Sequence, residues 1–270
     1  MDIEFTVFIG SKSGEIVEAK GHRDVGPTQA LVELPHCEVC GTDEHYKHAD
    51  QGLGHEGVAI IKEIGSLVKQ ISDLRDGDRV GMGTVLWVLQ AVQAVSYRQA
   101  TASVSPVGIG GLGHLAIQMA AKMGMEAVVF RGTEAKREEA FQLGASDFYA
   151  TKGVTEFQGV ESVDCLLITA SVLPDLTLYL PILAPFAKIF PLTISMDNTQ
   201  VPALPFVLYG YSLIGSGGAH PQSVKAMLRF CAKPDIKPVI EKFPMTRQGI
   251  IEAMKKLEEG KVRYRGGLVV

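Results

Sequence analysis

The stretch Val107-Gly108-Ile109-Gly110-Gly111-Leu112-Gly113 decides the fold class of this chain of 270 residues. Its glycines follow the pattern G-x-G-x-x-G, which permits a tight turn and a close approach of the backbone to a pyrophosphate group. An apolar helix is expected directly after it, over Gly111–Met123, and a strand over Ala127–Phe130. This context predicts a dinucleotide-binding turn, and a purely structural glycine-rich turn is the alternative.

Further strands and helices alternate after this motif. A helix is expected over Glu134–Leu143, and strands over Val163–Ile168, Ala187–Pro191 and Tyr211–Ile214. Such alternation predicts an α/β fold with a doubly wound parallel sheet. Ser105-Pro106 stands where the first strand is expected, and proline cannot donate to a central ladder, which argues against a strand there.

Both ends of the chain differ from this middle part. Glu4 to about Val80 consists of short β-type runs separated by glycine and proline, which predicts a β-rich module. Thr246–Gly260 carries apolar residues on one face and charged residues on the other, which predicts an amphipathic helix.

Composition narrows the class of protein. Hydrophobic residues make up 46% and charged residues 21%, with a net charge of −4. These values predict a globular chain without a nucleic-acid-coating surface. Four cysteines are too few for a disulfide scaffold, and the uncharged stretch Gln99–Ala121 is broken by glycines and Pro106. We therefore expect a cytoplasmic protein with neither a nucleic-acid nor a membrane partner.

The end of the strand that follows the glycine motif bears on the cofactor. A site that prefers NAD places a carboxylate here, against the ribose hydroxyls. No carboxylate occupies residues 131–133, whereas Arg131, Thr133 and Lys136 suit a 2′-phosphate, so NADP(H) is predicted. The alternative is a solvated helix start with incidental basic residues, and Glu134 is the nearest acid.

Cys40 and His55 are candidate zinc ligands. A catalytic zinc takes three protein ligands and keeps one position open. Cys37 and Cys40 form a C-x-x-C, but no second pair completes a four-cysteine site. Spacing alone leaves open whether a metal binds here.

Taken together, these motifs resemble the zinc-dependent medium-chain alcohol dehydrogenases, most closely the cinnamyl-alcohol-dehydrogenase-like branch that prefers NADP. The landmarks, in family order, are Cys40–His45, Gly54–Gly57, Gly77–Gly81, Gly108–His114, Lys136 with Leu143–Ala145, and Tyr264-Arg265. The resemblance implies an incomplete GroES-like β-barrel catalytic domain plus a Rossmann domain. The corresponding boundaries are 1–100 for the catalytic domain, 101–232 for the NADP-binding domain and 233–270 for the return to the catalytic domain.

The resemblance also implies individual roles. Cys40, His55 and Glu56 are implied metal ligands, with Asp43 orienting His55. Thr42 and His45 are an implied proton relay, although both residue types also cap helices, and Glu56 is implied in catalysis beside the metal. The implied cofactor-binding residues are Gly108, Gly110, Gly111, Leu112, Gly113, Arg131, Thr133, Lys136 and Arg265. Arg265, implied to reach a cofactor phosphate, has a plain surface cation as its alternative.

The segment Thr84–Pro106 departs from the family. In its place members carry several dozen more residues, including a structural zinc lobe and the cysteine that is the third zinc ligand. We expect it to replace barrel strands and the first Rossmann strand as well, as the product of a faulty gene model, mis-splicing or gene decay.

Three functions remain open at this stage. The first is a zinc- and NADP(H)-dependent alcohol dehydrogenase or aldehyde reductase acting on a small alcohol or aldehyde. The second is an inactive or truncated homologue that only binds NADP(H), and the third is a zinc-free reductase, against which Cys40, His55 and Glu56 argue. Tyr211–Ala219 resembles the family's dimer edge, so a homodimer is possible.

Overall fold

The computed structural model describes residues 2–82, 102–195, 198–218 and 220–270. The chain divides into two compact units, residues 1–84 with 239–270 and residues 85–238. The predicted domain boundaries after residues 100 and 232 stay predictions beside this division. Among the described residues, no helix is both long enough and apolar enough to cross a bilayer.

The regular elements of the described residues are numbered here in chain order. They are β1 (Asp2–Ile9), β2 (Val17–Asp24), β3 (Ala30–Val39), α1 (Gly41–Tyr46), β4 (Gly57–Ile64), α2 (Ser66–Ile71), β5 (Arg79–Met82), β6 (Ser103–Val107), α3 (Gly113–Lys122), β7 (Glu126–Arg131), α4 (Arg137–Gln142), β8 (Asp147–Ala150), β9 (Val163–Ile168), β10 (Leu183–Pro191), α5 (Ala203–Tyr209), β11 (Ser212–Leu213), α6 (Pro221–Ala232), β12 (Ile240–Pro244), α7 (Arg247–Glu258) and β13 (Arg265–Val269).

The second unit is built on a six-stranded sheet in the order β11-β10-β9-β6-β7-β8. Every pairing in it is parallel, which confirms the predicted doubly wound sheet. Its central strands are almost wholly buried, as strands covered on both faces require. An aromatic group of Phe130, Tyr149, Phe157 and Tyr179 packs among the apolar side chains of this core.

Two predictions about the first strand of this sheet are wrong: that Ser105-Pro106 interrupts it, and that the segment Thr84–Pro106 replaces it. β6 runs through Pro106 at the centre of the sheet and pairs without a break with β9 from Val104 to Val107. Towards β7, the paired residues are Ser103, Val104 and Val107, and the two between them are skipped. The hydrogen bond that Pro106 cannot donate is therefore lost on the β7 side only. Burial of the apolar side chains of β6 compensates for this loss.

The helix after the glycine motif is shorter at both ends than predicted, Gly113–Lys122 rather than Gly111–Met123. Small residues such as Ala116 and Ala120 are completely buried and allow this helix to approach the sheet closely. After the cap residue Met123 the chain turns at Gly124, whose φ of +78° lies in the left-handed region that favours glycine. The predicted helix over Glu134–Leu143 begins as a single 3₁₀ turn and continues as α4.

The first unit holds a five-stranded sheet in the order β12-β13-β3-β4-β5 and the hairpin β1-β2. The C-terminal strand β13 pairs antiparallel with β3, which brings the end of the chain beside the Cys37–Cys40 region. The predicted amphipathic helix is α7, whose Ile250 and Met254 pack with Val39 and Leu268. The part of the segment Thr84–Pro106 that precedes Ala102 lies outside the described residues.

Candidate metal and cofactor sites

Cys40 lies where β3 ends and serves as the N-terminal cap of α1. The backbone N–H of Thr42 donates to its Sγ at 3.3 Å, and the carboxylate of Asp43 accepts from the backbone N–H of Cys40 at 2.9 Å. This reciprocal arrangement is a capping box with a thiol in place of the usual hydroxyl. The cap therefore fixes the direction in which Sγ points.

Three side chains predicted as metal ligands converge in the first unit. Among the described residues, Cys40, His55 and Glu56 form the one group of three or more His, Cys, Asp or Glu side chains whose ligand atoms all lie within 4.8 Å of one another. The Cys40 Sγ to His55 Nε2 distance is 3.3 Å, and His55 Nε2 to Glu56 Oε1 is 3.5 Å. Tetrahedral zinc separates such ligand pairs by about 3.4–3.6 Å. The set of one sulfur, one nitrogen and one oxygen therefore fits zinc.

Asp43 contacts His55 on the side of the ring opposite the other two candidate ligands. It is buried, and its Oδ1 accepts from the backbone N–H of Gly54 at 3.1 Å and lies 3.4 Å from His55 Nδ1. A carboxylate on Nδ1 leaves Nε2 free to act as a metal ligand. The structure thus places Asp43 where the resemblance implies it, as the residue that orients His55.

Burial shapes the protonation of the ligands. It raises the pKa of the Cys40 thiol to about 11, and the charge of Glu56 adds to the shift. Burial also raises the pKa of Glu56 to about 7. A cation favours the deprotonated form of both groups, so binding of a divalent metal here is coupled to release of protons.

Arg265 lies beside the metal-ligand group, with its side chain only 10% exposed. Its Nη2 donates to Glu56 Oε2 at 2.8 Å, and its guanidinium also contacts both carboxylate oxygens of Glu38. Burial lowers the pKa of Arg265 to about 10. Sequence reasoning missed Glu38, although its place two residues before Cys40, near the end of β3, was a usable signal.

Thr42 and His45 lie on the short helix that Cys40 caps. Thr42 is in the first turn and partly buried, and His45 is in the last turn and exposed. Residues three apart on a helix share a face, so the two side chains project from the same side of α1.

The glycine-rich loop of the second unit is tightly packed at two of its glycines and open at a third. A Cβ on Gly113 would lie 1.9 Å from the carbonyl oxygen of Gly108, and Gly108 itself has a φ of +105°. A Cβ on Gly110, in contrast, would meet nothing within 4 Å. Gly113 and Gly108 thus serve the turn, whereas Gly110 leaves the backbone open to a ligand, as dinucleotide binding requires. Leu112 is the N-terminal cap residue of α3, next to Gly111.

Thr169, just beyond β9, is a supporting residue that sequence reasoning missed. Its Oγ1 donates to the carbonyl oxygens of Val107 and Gly108 at 3.1 and 2.9 Å. The position immediately after a buried parallel strand was the signal available for it, since strand carboxyl ends meet at one edge of the sheet.

The residues predicted to bind a 2′-phosphate gather at the end of β7. Arg131 Nη1 donates to Thr133 Oγ1 at 2.6 Å, and Lys136 Nζ donates to the carbonyl oxygen of Ile109 at 3.2 Å. Glu134, the nearest acid, is paired with the guanidinium of Arg137.

Comparison with known proteins identifies the family. Residues 26–128 match the family model described as the alcohol dehydrogenase GroES-like domain, and residues 111–233 match that of the zinc-binding dehydrogenase. Aldehyde reductase AdhA of Synechocystis sp. is 30% identical over 233 residues, which cover 84% of this chain and 67% of that protein. The chain belongs to the zinc-dependent medium-chain alcohol dehydrogenase family.

One further relative and one solved structure are informative. NADP-dependent alcohol dehydrogenase C 1 of Mycolicibacterium smegmatis is 25% identical over 321 aligned positions, which cover 90% of each chain. This alignment is longer than the 270 residues of the chain, so that relative carries stretches without a counterpart here. A cinnamyl alcohol dehydrogenase from Sorghum bicolor superposes with a TM-score of 0.85 at 20% identity, covering 100% of this chain and 98% of that chain, which shows the fold.

These findings confirm the predicted family and the GroES-like plus Rossmann fold. The predicted class of oxidoreductase agrees with the matched domains, which are those of alcohol and zinc-binding dehydrogenases, and with the two relatives, which are named as an aldehyde reductase and an NADP-dependent alcohol dehydrogenase. The individual site residues stay predictions.

Proposed function

We propose that this chain transfers a hydride between NADP(H) and an alcohol or aldehyde at a zinc site formed by Cys40, His55 and Glu56. The observation that carries this proposal is the convergence of the three ligand atoms within 4.8 Å of one another. When bound, zinc supplies a Lewis acid for the oxygen of the substrate, and the nicotinamide supplies or accepts the hydride.

The residues around the site have separate tasks in this proposal. Cys40 holds Sγ through the helix cap, and Asp43 directs Nε2 of His55 towards the other two ligands. Thr42, next to Cys40, takes the proton from the alcohol in oxidation and returns it in reduction. His45 passes this proton on to solvent, in keeping with its exposed position.

The cofactor site favours NADP(H) in this proposal. Arg131, Thr133 and Lys136 offer two cations and a hydroxyl where no carboxylate stands. The glycine-rich loop from Gly108 to Gly113 holds the pyrophosphate through backbone N–H groups. Lys136 belongs to both the 2′-phosphate site and the pyrophosphate site, because its amine contacts the carbonyl of Ile109 within that loop. A contact of Arg265 with a cofactor phosphate stays a prediction.

The test combines metal analysis with NADPH oxidation in the presence of aromatic and aliphatic aldehydes. The wild-type chain is expected to hold at most one zinc, and Cys40→Ser to lose it together with turnover, since a thiolate ligand is removed. Cys231→Ser on α6 is the matched control and should retain both. Retention of zinc by Cys40→Ser would overturn the assignment of this site.

One outcome of this test favours the alternative function. If the chain binds NADPH but neither holds zinc nor oxidises NADPH with any aldehyde, it is a homologue that only binds the cofactor. The longer alignment of the mycobacterial relative is the observation behind this second candidate.

We further propose a homodimer, and a cytoplasmic location stays a prediction. β11 is the edge strand of the parallel sheet, and the preceding α5 exposes Leu204, Val207 and Leu208. Among the described residues β11 pairs with a neighbour on one side only, and such an edge beside exposed apolar side chains fits the same edge of a second copy.

A further inference from the structure

Arg265 lies between two carboxylates, one inside and one outside the candidate metal-ligand group. Both are brought to it by the sheet of the first unit. β13 pairs with β3 so that Gly267 stands opposite Glu38, and the backbone N–H of Glu38 donates to the carbonyl of Glu56 at 2.8 Å. Three segments distant in sequence thus place three charged side chains side by side.

The two oxygens of Glu56 face different partners. Oε1 lies 3.5 Å from His55 Nε2, on the side of the metal ligands, whereas Oε2 accepts from Arg265 at 2.8 Å. Glu56 therefore contacts the metal-ligand group and the arginine through separate atoms. Any change in how strongly Arg265 holds Oε2 acts directly on the ligand strength of Oε1.

Glu38 competes for the same guanidinium. Its two oxygens contact Nε and Nη2 of Arg265, while Glu56 shares only Nη2. The side chains of Arg265, Glu38 and Glu56 are 10%, 21% and 12% exposed, so solvent screens their charges only weakly. Without Glu38, the full positive charge of Arg265 would rest on Glu56, next to the place that a divalent cation would take.

We propose that Glu38 is a positioning residue that sets the zinc affinity of the Cys40–His55–Glu56 group by holding Arg265 and neutralising its charge. The inference rests on the proposed function, because it takes these three residues as the zinc ligands. Its consequence is a pair of opposite effects. Removing the charge of Glu38 weakens zinc binding, whereas removing the charge of Arg265 strengthens it.

The test measures zinc affinity directly, by competition with a chromophoric zinc chelator, and the visible absorption of the Co²⁺-loaded protein. Glu38→Gln is expected to bind zinc roughly 10- to 100-fold more weakly than wild type, the range found for residues that support metal ligands. Arg265→Met is expected to bind zinc more tightly, and the double variant to lie between the single variants. Glu33→Gln is the matched control, an exposed glutamate on the same strand that is paired with Lys62, and should bind zinc as wild type does.

Two further comparisons separate charge from general disruption. Glu38→Asp keeps the charge and should bind zinc more tightly than Glu38→Gln. A structural defect would weaken zinc binding in both single variants alike, so equal weakening in Glu38→Gln and Arg265→Met overturns the inference. The double variant keeps the net charge of the three groups at −1, because it removes one negative and one positive charge. If either single variant fails to fold, the double variant should still bind zinc more tightly than the single variant that keeps Arg265, and a double variant that binds zinc no better than a chain without Cys40 would overturn the inference.

The experiment distinguishes a failure of the proposed function from a failure of this inference. A wild-type protein that takes up no zinc overturns both. A wild-type protein that binds zinc, together with a Glu38→Gln variant of equal affinity, overturns only the role of Glu38.

Discussion

Lys136 joins the glycine-rich loop to the predicted 2′-phosphate site, since its Nζ contacts the carbonyl oxygen of Ile109. We expect Lys136→Glu to weaken NADPH binding by roughly 10- to 100-fold, because a charge-assisted contact is replaced by repulsion. Binding of NADH should change much less, so that the preference narrows or reverses. Calorimetric titration with both cofactors measures this.

Lys225→Glu on α6 is the control for a change of charge in the same unit. It should leave both affinities unchanged. If wild type binds NADPH and NADH with equal dissociation constants, the 2′-phosphate assignment of Arg131, Thr133 and Lys136 is wrong.

His114 is completely buried at the start of α3, and burial lowers its pKa from 6.5 to about 4. As the pH falls below 6.5 the unfolded chain binds a proton before the folded chain does, so stability decreases with falling pH down to about pH 4. This group alone should remove about 2 kcal/mol of unfolding free energy between pH 7 and pH 5.

Urea unfolding at these two pH values, for wild type and His114→Asn, checks this expectation. The variant keeps an N–H donor for Gly110 but cannot titrate, so its loss of stability should be smaller than that of wild type. The exposed His36→Asn serves as control and should lose as much stability as wild type does. An equal loss in all three proteins would contradict the prediction.

The loop between β6 and α3 contains glycines that the fold requires and one glycine that we expect to matter for NADPH binding. Gly113→Ala places a Cβ 1.9 Å from the carbonyl oxygen of Gly108, whereas Gly110→Ala places it in open space. We expect Gly113→Ala to destabilise the protein by about 1–3 kcal/mol or more, because backbone must move. Gly110→Ala should leave the melting temperature unchanged and weaken NADPH binding.

Thermal melting and NADPH titration of the two variants measure this separation, each serving as the control of the other. A Gly110→Ala variant that binds NADPH as wild type does would place the pyrophosphate elsewhere.

At the scale of the whole molecule, α5 and the edge strand β11 bear on assembly. Val207 is 78% exposed, and a glutamate there costs the isolated chain little but would be buried without a partner in a dimer. We expect the wild type to sediment as a dimer and Val207→Glu as a monomer. Val172→Glu, on a side chain 73% exposed, is the matched control and should remain dimeric. A monomeric wild type would refute the proposed dimer.

The amino-acid sequence by itself determined the parallel sheet, the glycine-rich turn and the identity of the residues that converge as candidate zinc ligands. The first two features depend on short-range patterns, namely strand and helix periodicity and glycines at fixed spacing, and the candidate ligands depend on short motifs that the family resemblance connects. Such a pattern favours the same local structure wherever the segment lies in the fold, so it allows a prediction from the sequence alone.

Only the tertiary structure decided how Pro106 and Arg265 are used. Pro106 was expected to exclude a central strand, but burial of β6 between β9 and β7 offsets the one missing N–H. Arg265 contacts Glu38 and Glu56 because β13, β3 and β4 share one sheet, and that register joins residues more than 200 positions apart. Sequence patterns carry no record of such pairings, since strand register is set by packing across the whole sheet.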